Sequence, residues 1–178
     1  HRRQRQMCIR DSSKMHSFFF EEDRSITLLS AGNLATSQSV IAKLNRDLEG
    51  GESTTIRSGR YVSDVADYVG ELLVAARTRY ASEEGPDAGL DASASFIIGG
   101  QIAGQEPELY MVYPEGNHIA ASSSQPYLQI GETKYGKPIL DRILQADTEP
   151  ETAMRCAIVS VDSLSLIHIS EPTRPFHI

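Results

Sequence analysis

The sequence has few basic residues, few histidines and only two cysteines among its 178 residues. Its 17 lysines and arginines are outnumbered by 24 aspartates and glutamates, which gives a formal net charge of −7 at pH 7. Such an acidic chain is a poor partner for nucleic acids and for anionic membranes. It also lacks an apolar run long enough to cross a bilayer, and nothing in it resembles a phosphate loop or a dinucleotide-binding glycine fingerprint. We therefore expect a protein that binds neither nucleic acid nor membranes.

The only basic cluster is a group of four arginines within the first ten residues. Codons can be chosen so that residues 2–12 are encoded by DNA containing AGATGTGTATAAGAGACAG, and residues 164–174 by DNA containing CTGTCTCTTATACACATCT. These two strings are reverse complements, and both resemble the adapters that a transposase ligates to DNA before sequencing. We therefore expect residues 1–12 and 164–178 to be translated adapter without a fold, and residues 13–163 to form one truncated domain.

Without those ends the chain is more acidic and contains less cysteine and histidine. Its 12 basic and 22 acidic residues give a formal net charge of about −10. Cys156 remains as a lone cysteine that cannot form an internal disulfide, which predicts a reducing, cytoplasmic location. His16 and His118 have no acidic or cysteine neighbours at ligand spacing, so we expect no metal site and no cofactor.

Apolar periodicity predicts strands and helices in separate groups. Strands are expected at residues 15–20, 25–30, 94–99, 108–113, 118–122 and 127–130. Helices are expected at residues 34–48, 62–80, about 136–144 and from 149 to at least 161. Hairpin-linked strands that are grouped apart from helix pairs indicate an α+β fold, with antiparallel sheets and helices outside them.

Four blocks in this order resemble the bacterial proteasome-type proteases called Anbu, the ancestral beta-subunit group. The blocks are KMH at residues 14–16, LLSAGNLAT at 28–36, FIIGGQI at 96–102 and YLQIGETKYGKPILDR at 127–142. The resemblance implies an N-terminal-nucleophile hydrolase with a four-layer αββα sandwich. It also implies a threonine peptidase that acts on peptides or unfolded proteins and assembles into homo-oligomeric rings; an ATPase partner is left open.

The resemblance implies roles for residues near the start of the matched region. Lys14 matches the active-site lysine, whose charge would lower the pKa of the threonine amine and keep some of it neutral. Gly32 matches the glycine whose backbone N–H serves the oxyanion hole, where the lack of a Cβ permits close approach. Ser30, Ala31 and Gly32 match positions that line the substrate site. The alternative interpretations are a surface lysine and a simple strand-end turn.

Two further site residues are implied near the end of the matched region. Thr133, or its neighbour Glu132, would take the place of the serine that other proteasome beta subunits carry near the nucleophile. Alternatively, Thr133 is the capping residue of the following helix. Asp162 would match the second aspartate of the site.

The resemblance leaves the expected domain incomplete. The N-terminal threonine, the first strand pair with its aspartate and the C-terminal strands have no counterpart in this sequence, so we expect the chain as given to be inactive and to fold poorly. Two alternative functions remain for the intact parent protein. One is a small-molecule amidase on the same fold, and the other is a catalytically silent subunit that only forms rings.

Overall fold

The computed structural model describes residues 14–20, 23–81 and 91–169, and for residues 81 and 164–169 it describes the backbone alone. The chain forms two compact units, one ending at Ala121 and one beginning at Ser122. The first unit contains β1 (Met15–Phe20), β2 (Arg24–Gly32), α1 (Leu34–Gly50), α2 (Val62–Ala81), β3 (Ala94–Ile102), β4 (Glu108–Val112) and β5 (His118–Ala120). The second contains α3 (Lys137–Ile143) and α4 (Pro150–Ile169).

The strands form one antiparallel sheet in the order β1-β2-β3-β4-β5. Paired residues share a face of the sheet, and the register places Phe18 opposite Ile26 and Leu28 opposite Ile98. These four side chains are fully or almost fully buried, whereas Leu29, one step along β2, is 39% exposed. The period-two pattern that predicted the strands therefore separates a fully covered face from a partly exposed one.

The helix pair α1 and α2 covers that buried face. α1 packs against β2 and β3, and α2 packs against β3, β4 and β5. The shared core consists of apolar residues from α1, α2 and strands β1 to β4, including Val40, Leu44, Val65, Val69, Leu73, Phe96 and Val112. Burial of this apolar surface is the main force that holds the helices on the sheet.

A buried carboxylate ties the two helices together. Asp47 on α1 is 4% exposed, accepts a hydrogen bond from the Tyr68 hydroxyl on α2, and is ion-paired with Lys43. Burial raises the pKa of Asp47, but the hydrogen bonds from Lys43 and Tyr68, with the nearby positive charges, outweigh burial and leave the pKa below its usual value. The ionised side chain is thus an internal link between the helices.

Side chains and glycine define the ends of these helices. Asn33 caps α1 by accepting a hydrogen bond from the Thr36 N–H, and Gly51 ends the helix at a φ of 68°. The Asp64 carboxylate, in the first turn of α2, accepts hydrogen bonds from the backbone N–H groups of Arg60 and Tyr61. The predicted boundaries of both helices agree with the structure to within two residues.

In the second unit the irregular stretch before α3 is packed on α4. A Cβ at Gly136 would overlap the Ser160 hydroxyl and approach Gln129 Nε2 to 3.1 Å, so a larger residue there would require Ser160 to move. The strand predicted at residues 127–130 is wrong, because this stretch is irregular. Cys156, on α4, is buried.

The predicted α+β class is confirmed by the single antiparallel sheet and the separate helix pairs. The backbone of α4 continues to Ile169, beyond the junction predicted after residue 163. Continued helix is what local propensity alone would produce there, so the predicted adapter origin of residues 164–178 stays a prediction. Residues 1–12 and 170–178 lie outside the described residues.

Candidate functional site

Lys14 lies directly beside the end of β2. It precedes β1, and its backbone carbonyl accepts a hydrogen bond of 2.9 Å from the Ser30 N–H. Its side chain is exposed. Antiparallel pairing of β1 with β2 therefore brings this lysine next to the strand segment that ends two residues later at Gly32.

Gly32 occupies a position that only glycine can take without strain. Its φ is +99°, and a Cβ there would lie 2.5 Å from the Ser93 carbonyl oxygen and 3.0 Å from Ala94 Cα. The residue is exposed and pairs with Ala94 as the last residue of β2. The result is a bare, accessible stretch of backbone at one end of the sheet.

A network of hydrogen bonds fixes the backbone that follows Gly32. The Asn33 N–H donates to the Ser93 carbonyl at 2.8 Å, and Asn33 Nδ2 donates to the Asp91 carbonyl at 3.1 Å. The Thr36 hydroxyl donates to the Ala92 carbonyl at 2.8 Å. Hydrogen bonds with Ser93 hold the pKa of Asp91 below its usual value. The start of α1 is thereby bound to the chain that enters β3.

The substrate-site candidates on β2 differ in accessibility. Ser30 pairs with Phe96, and its side chain, 7% exposed, lies on the face that the helices cover. Ala31 points to the other face, opposite Ser95, and is half-buried. The structure thus brings Lys14, Ser30, Ala31 and Gly32 together in the first unit.

Thr133 and Asp162 belong to the second unit. Thr133 is half-buried, and its backbone carbonyl accepts a hydrogen bond of 3.1 Å from the Lys137 N–H. Asp162 is exposed on α4, two residues after Ser160. The interpretation of Thr133 as a helix cap is wrong, because Gly136 occupies the cap position and provides no side-chain hydrogen bond.

Sequence reasoning missed a three-residue cluster beside Thr133. The Lys137 ammonium contacts both carboxylate oxygens of Asp141 at 2.8 Å and the Tyr127 hydroxyl at 3.4 Å, and the Tyr127 hydroxyl also binds Asp141. Hydrogen bonds with Asp141 and Tyr127 raise the pKa of Lys137, and those with Lys137 and Tyr127 lower the pKa of Asp141. The spacing of four between the lysine and the aspartate was the available signal, but Tyr127 could not be placed with them.

A surface depression lies apart from these candidate residues. An open depression of about 450 Å³, lined by Phe19, Phe20, Arg24 and Gln101 among others, lies at the opposite end of β1 and β2 from Lys14. Among the residues that the structure describes, no three His, Cys, Asp or Glu side chains are grouped to hold a metal ion. Within the same residues, no helix is both long and apolar enough to cross a membrane.

Several solved structures are similar to this chain. The Anbu complex from Pseudomonas aeruginosa, described as a helical assembly, is 43% identical with a TM-score of 0.78, over 90% of this chain and 65% of that one. Anbu from Yersinia bercovieri is 38% identical with a TM-score of 0.78, over 86% of this chain and 62% of that one. Anbu from Hyphomicrobium sp. strain MC1 is 37% identical with a TM-score of 0.71, over 86% of this chain and 70% of that one.

The chain therefore spans less than two thirds of the length of the first two of these neighbours. No protein-family model matches the chain. No curated protein matches it.

Proposed function

Because the chain belongs to the Anbu (ancestral beta-subunit) family and has its proteasome-like α+β fold, we propose that the full-length protein is a threonine-type peptidase. The proposed nucleophile is the hydroxyl of the N-terminal threonine of the full-length protein, and residues of this chain supply its surroundings.

The observation that supports the proposal is the adjacency of Lys14 and Gly32 at one end of the sheet. The exposed lysine lies beside β2 through the hydrogen bond from Ser30, and the exposed glycine backbone follows two residues later. A lysine and an exposed glycine backbone on neighbouring segments are two of the parts that amide hydrolysis by a terminal threonine requires.

In the proposed mechanism the threonine hydroxyl attacks the carbonyl carbon of the scissile amide. Its proton passes to the threonine's own amine, whose pKa the Lys14 charge lowers, so that part of it is neutral and able to accept. The negative charge that develops on the carbonyl oxygen is stabilised by the Gly32 N–H. The amine then protonates the leaving nitrogen, and water releases the acyl group.

The other candidates keep the roles that the family resemblance implies. Ser30, Ala31 and Gly32 are proposed to line the substrate site, with Ser30 as a small polar floor. Thr133, or its neighbour Glu132, is proposed to replace the serine of other proteasome beta subunits, and Asp162 to be the second aspartate.

Peptides or unfolded proteins are the proposed substrates, and the protein is proposed to be a cytoplasmic homo-oligomer. The Pseudomonas aeruginosa relative, described as a helical assembly, supports self-association. The lone described cysteine, Cys156, is buried and free, which suits a reducing compartment.

The test is performed on the full-length protein with a fluorogenic peptide, an unfolded protein and a set of small amides. Replacing the N-terminal threonine by alanine should abolish hydrolysis, and Lys14→Met should lower kcat at least about 100-fold because proton transfer is impaired. Lys134→Met, which removes an exposed lysine from the second unit, is the matched control and should retain activity.

Retention of full activity by Lys14→Met would contradict the mechanism. Hydrolysis of small amides alone would favour a small-molecule amidase on the same fold. Absence of hydrolysis from every substrate, in an oligomer that carries its threonine, would favour a silent scaffold.

A further inference from the structure

Three consecutive carbonyl groups just before β3 each accept a hydrogen bond from the start of α1. Asn33 supplies two of these bonds: its Nδ2 donates to the Asp91 carbonyl at 3.1 Å, and its backbone N–H donates to the Ser93 carbonyl at 2.8 Å. The Thr36 hydroxyl supplies the third, to the Ala92 carbonyl between them, at 2.8 Å. We call these three hydrogen bonds the anchor.

Thr36 is the fully buried member of the anchor, with a relative exposure of 0%. Its backbone N–H already completes the cap of α1 by donating to Asn33 Oδ1, so the cap does not need the hydroxyl. A buried hydroxyl is costly unless it is hydrogen-bonded, and an apolar side chain of the same shape would fill the core equally well. The hydroxyl of Thr36 therefore serves the connection to the Ala92 carbonyl.

The anchor fixes the chain that directly follows Gly32. Glycine passes readily between positive and negative φ, so its observed φ of +99° depends on neighbours that are held in place. On the near side, the hydrogen bond from the Ser30 N–H to the Lys14 carbonyl holds β2. On the far side, the anchor holds Asn33. The peptide group of Gly32 is thus fixed from both directions.

The alternation of the strand gives the direction of the Gly32 N–H. In a β-strand, the N–H groups of every second residue point to the same edge. The Ser30 N–H points to Lys14, so the Gly32 N–H, two residues later, points to the same edge and away from β3. A movement at the end of β2 would therefore displace this donor relative to Lys14.

We propose that Thr36 is a positioning residue, which through the anchor holds the Gly32 N–H where negative charge develops on the substrate oxygen. This inference rests on the proposed function, because it takes the Gly32 N–H as the oxyanion donor. Thr36 is buried and touches neither the substrate nor the reacting atoms. The oxyanion forms only as the reaction proceeds, so loss of the hydroxyl should lower turnover and leave substrate binding nearly unchanged.

The experiment compares Thr36→Val with wild type in the full-length protein, using kinetics and hydrogen exchange. Valine keeps the β-branched shape and replaces the hydroxyl by a methyl group. The kcat for a fluorogenic peptide should fall about tenfold, because the oxyanion donor is displaced rather than removed, while KM stays within about twofold. Amide exchange over residues 32–36 should become about five-fold faster, as expected for loss of one hydrogen bond.

A peptide aldehyde gives a second readout that does not depend on turnover. The threonine oxygen adds to the aldehyde carbon, the hydroxyl proton passes to the threonine amine, and the aldehyde oxygen becomes the anion that the Gly32 N–H receives. Thr36→Val should raise the Ki of the aldehyde about tenfold. The Ki of the matching peptide alcohol, which has no carbonyl to be attacked, should stay within about twofold.

Further variants separate the hydroxyl from other effects of the substitution. Thr36→Ser keeps the hydroxyl and should retain at least about half of kcat. Asn33→Ser keeps an oxygen for the helix cap but removes the donor to the Asp91 carbonyl, so kcat should again fall. Thr27→Val is the matched control, because it removes a hydroxyl that is bound to Ser17 at 3.0 Å on the same strand, outside the anchor. It should change neither kcat nor exchange over residues 32–36.

These measurements separate the possible failures. Exchange in Thr36→Val no faster than in Thr27→Val would overturn the anchor. Faster exchange with unchanged kcat and unchanged aldehyde inhibition would overturn the positioning role, as would an equal loss of kcat in Thr36→Ser. If Thr36→Val does not fold, Asn33→Ser decides in its place. A wild-type protein without threonine-dependent hydrolysis would refute the proposed function and the positioning role together, and the exchange result would still decide whether the anchor exists.

Discussion

Replacement of Gly32 by alanine tests the backbone geometry at the end of β2. A φ of +99° costs an L-residue about 1–3 kcal/mol. The added Cβ would also lie 2.5 Å from the Ser93 carbonyl oxygen and 3.0 Å from Ala94 Cα, and both are backbone atoms that cannot rotate away. Such overpacking costs about 1–3 kcal/mol more. We therefore expect Gly32→Ala to lower the free energy of unfolding by about 2–6 kcal/mol.

The measurement is urea-induced unfolding of the full-length protein, followed by circular dichroism. Gly51→Ala is the matched control, because Gly51 also has a positive φ (68°) but would place its Cβ in open space. Gly51→Ala should lower the free energy of unfolding by about 1–2 kcal/mol, from backbone strain alone. The difference between the two variants isolates the collision with the chain entering β3. Equal losses in the two variants would refute the close approach of Gly32 and Ser93.

Two further predictions concern packing in each unit. The pKa of Asp47 is lowered on folding, so its stabilising effect is present above its unfolded value of about 3.8 and is lost as the pH falls through the lower folded value. Asp47→Asn should lower the free energy of unfolding by about 1.5–3 kcal/mol at neutral pH and flatten the acid limb of a stability–pH curve. An unchanged acid limb would argue against the link to Tyr68. Gly136→Ala should lower the free energy of unfolding by about 1–3 kcal/mol, because the added Cβ would collide with Ser160. Adding Ser160→Ala should recover part of this loss in thermal unfolding, and additive losses in the double variant would contradict the contact.

Local sequence patterns predicted most helices and strands of the first unit, because each of these elements buries one face and leaves the other more exposed. The helices at residues 34–48 and 62–80 follow apolar residues at helical spacing, and the ends of α1 are marked by Asn33 and Gly51. The end of β2 was underestimated because the pairing of Gly32 with Ala94 depends on a strand some sixty residues later. The apolar residues at positions 127–130 predicted a strand, but the stretch is irregular and its residues are half-buried.

The candidate site could be predicted only in part, because its contacts join residues that are distant in the sequence. Lys14 and Gly32 came from the family resemblance, and the sheet register explains why they lie together. The contribution of Ser93 depends on that register and has no local signal. Tyr127 was missed because an irregular chain brings it to Lys137, and no periodicity describes such a path.

The hydrogen bonds between Asn33 and the chain at Asp91 also bear on the order of folding events. They join residues that are 58 positions apart, and the helix pair lies within the loop they close. Closing a flexible loop of that length costs about 4 kcal/mol of chain entropy, which β2 and β3 must overcome before any of their pairing is gained. Formation of α1 and α2 shortens the flexible path, so earlier formation of the helix pair lowers the entropic cost of bringing β2 and β3 into register.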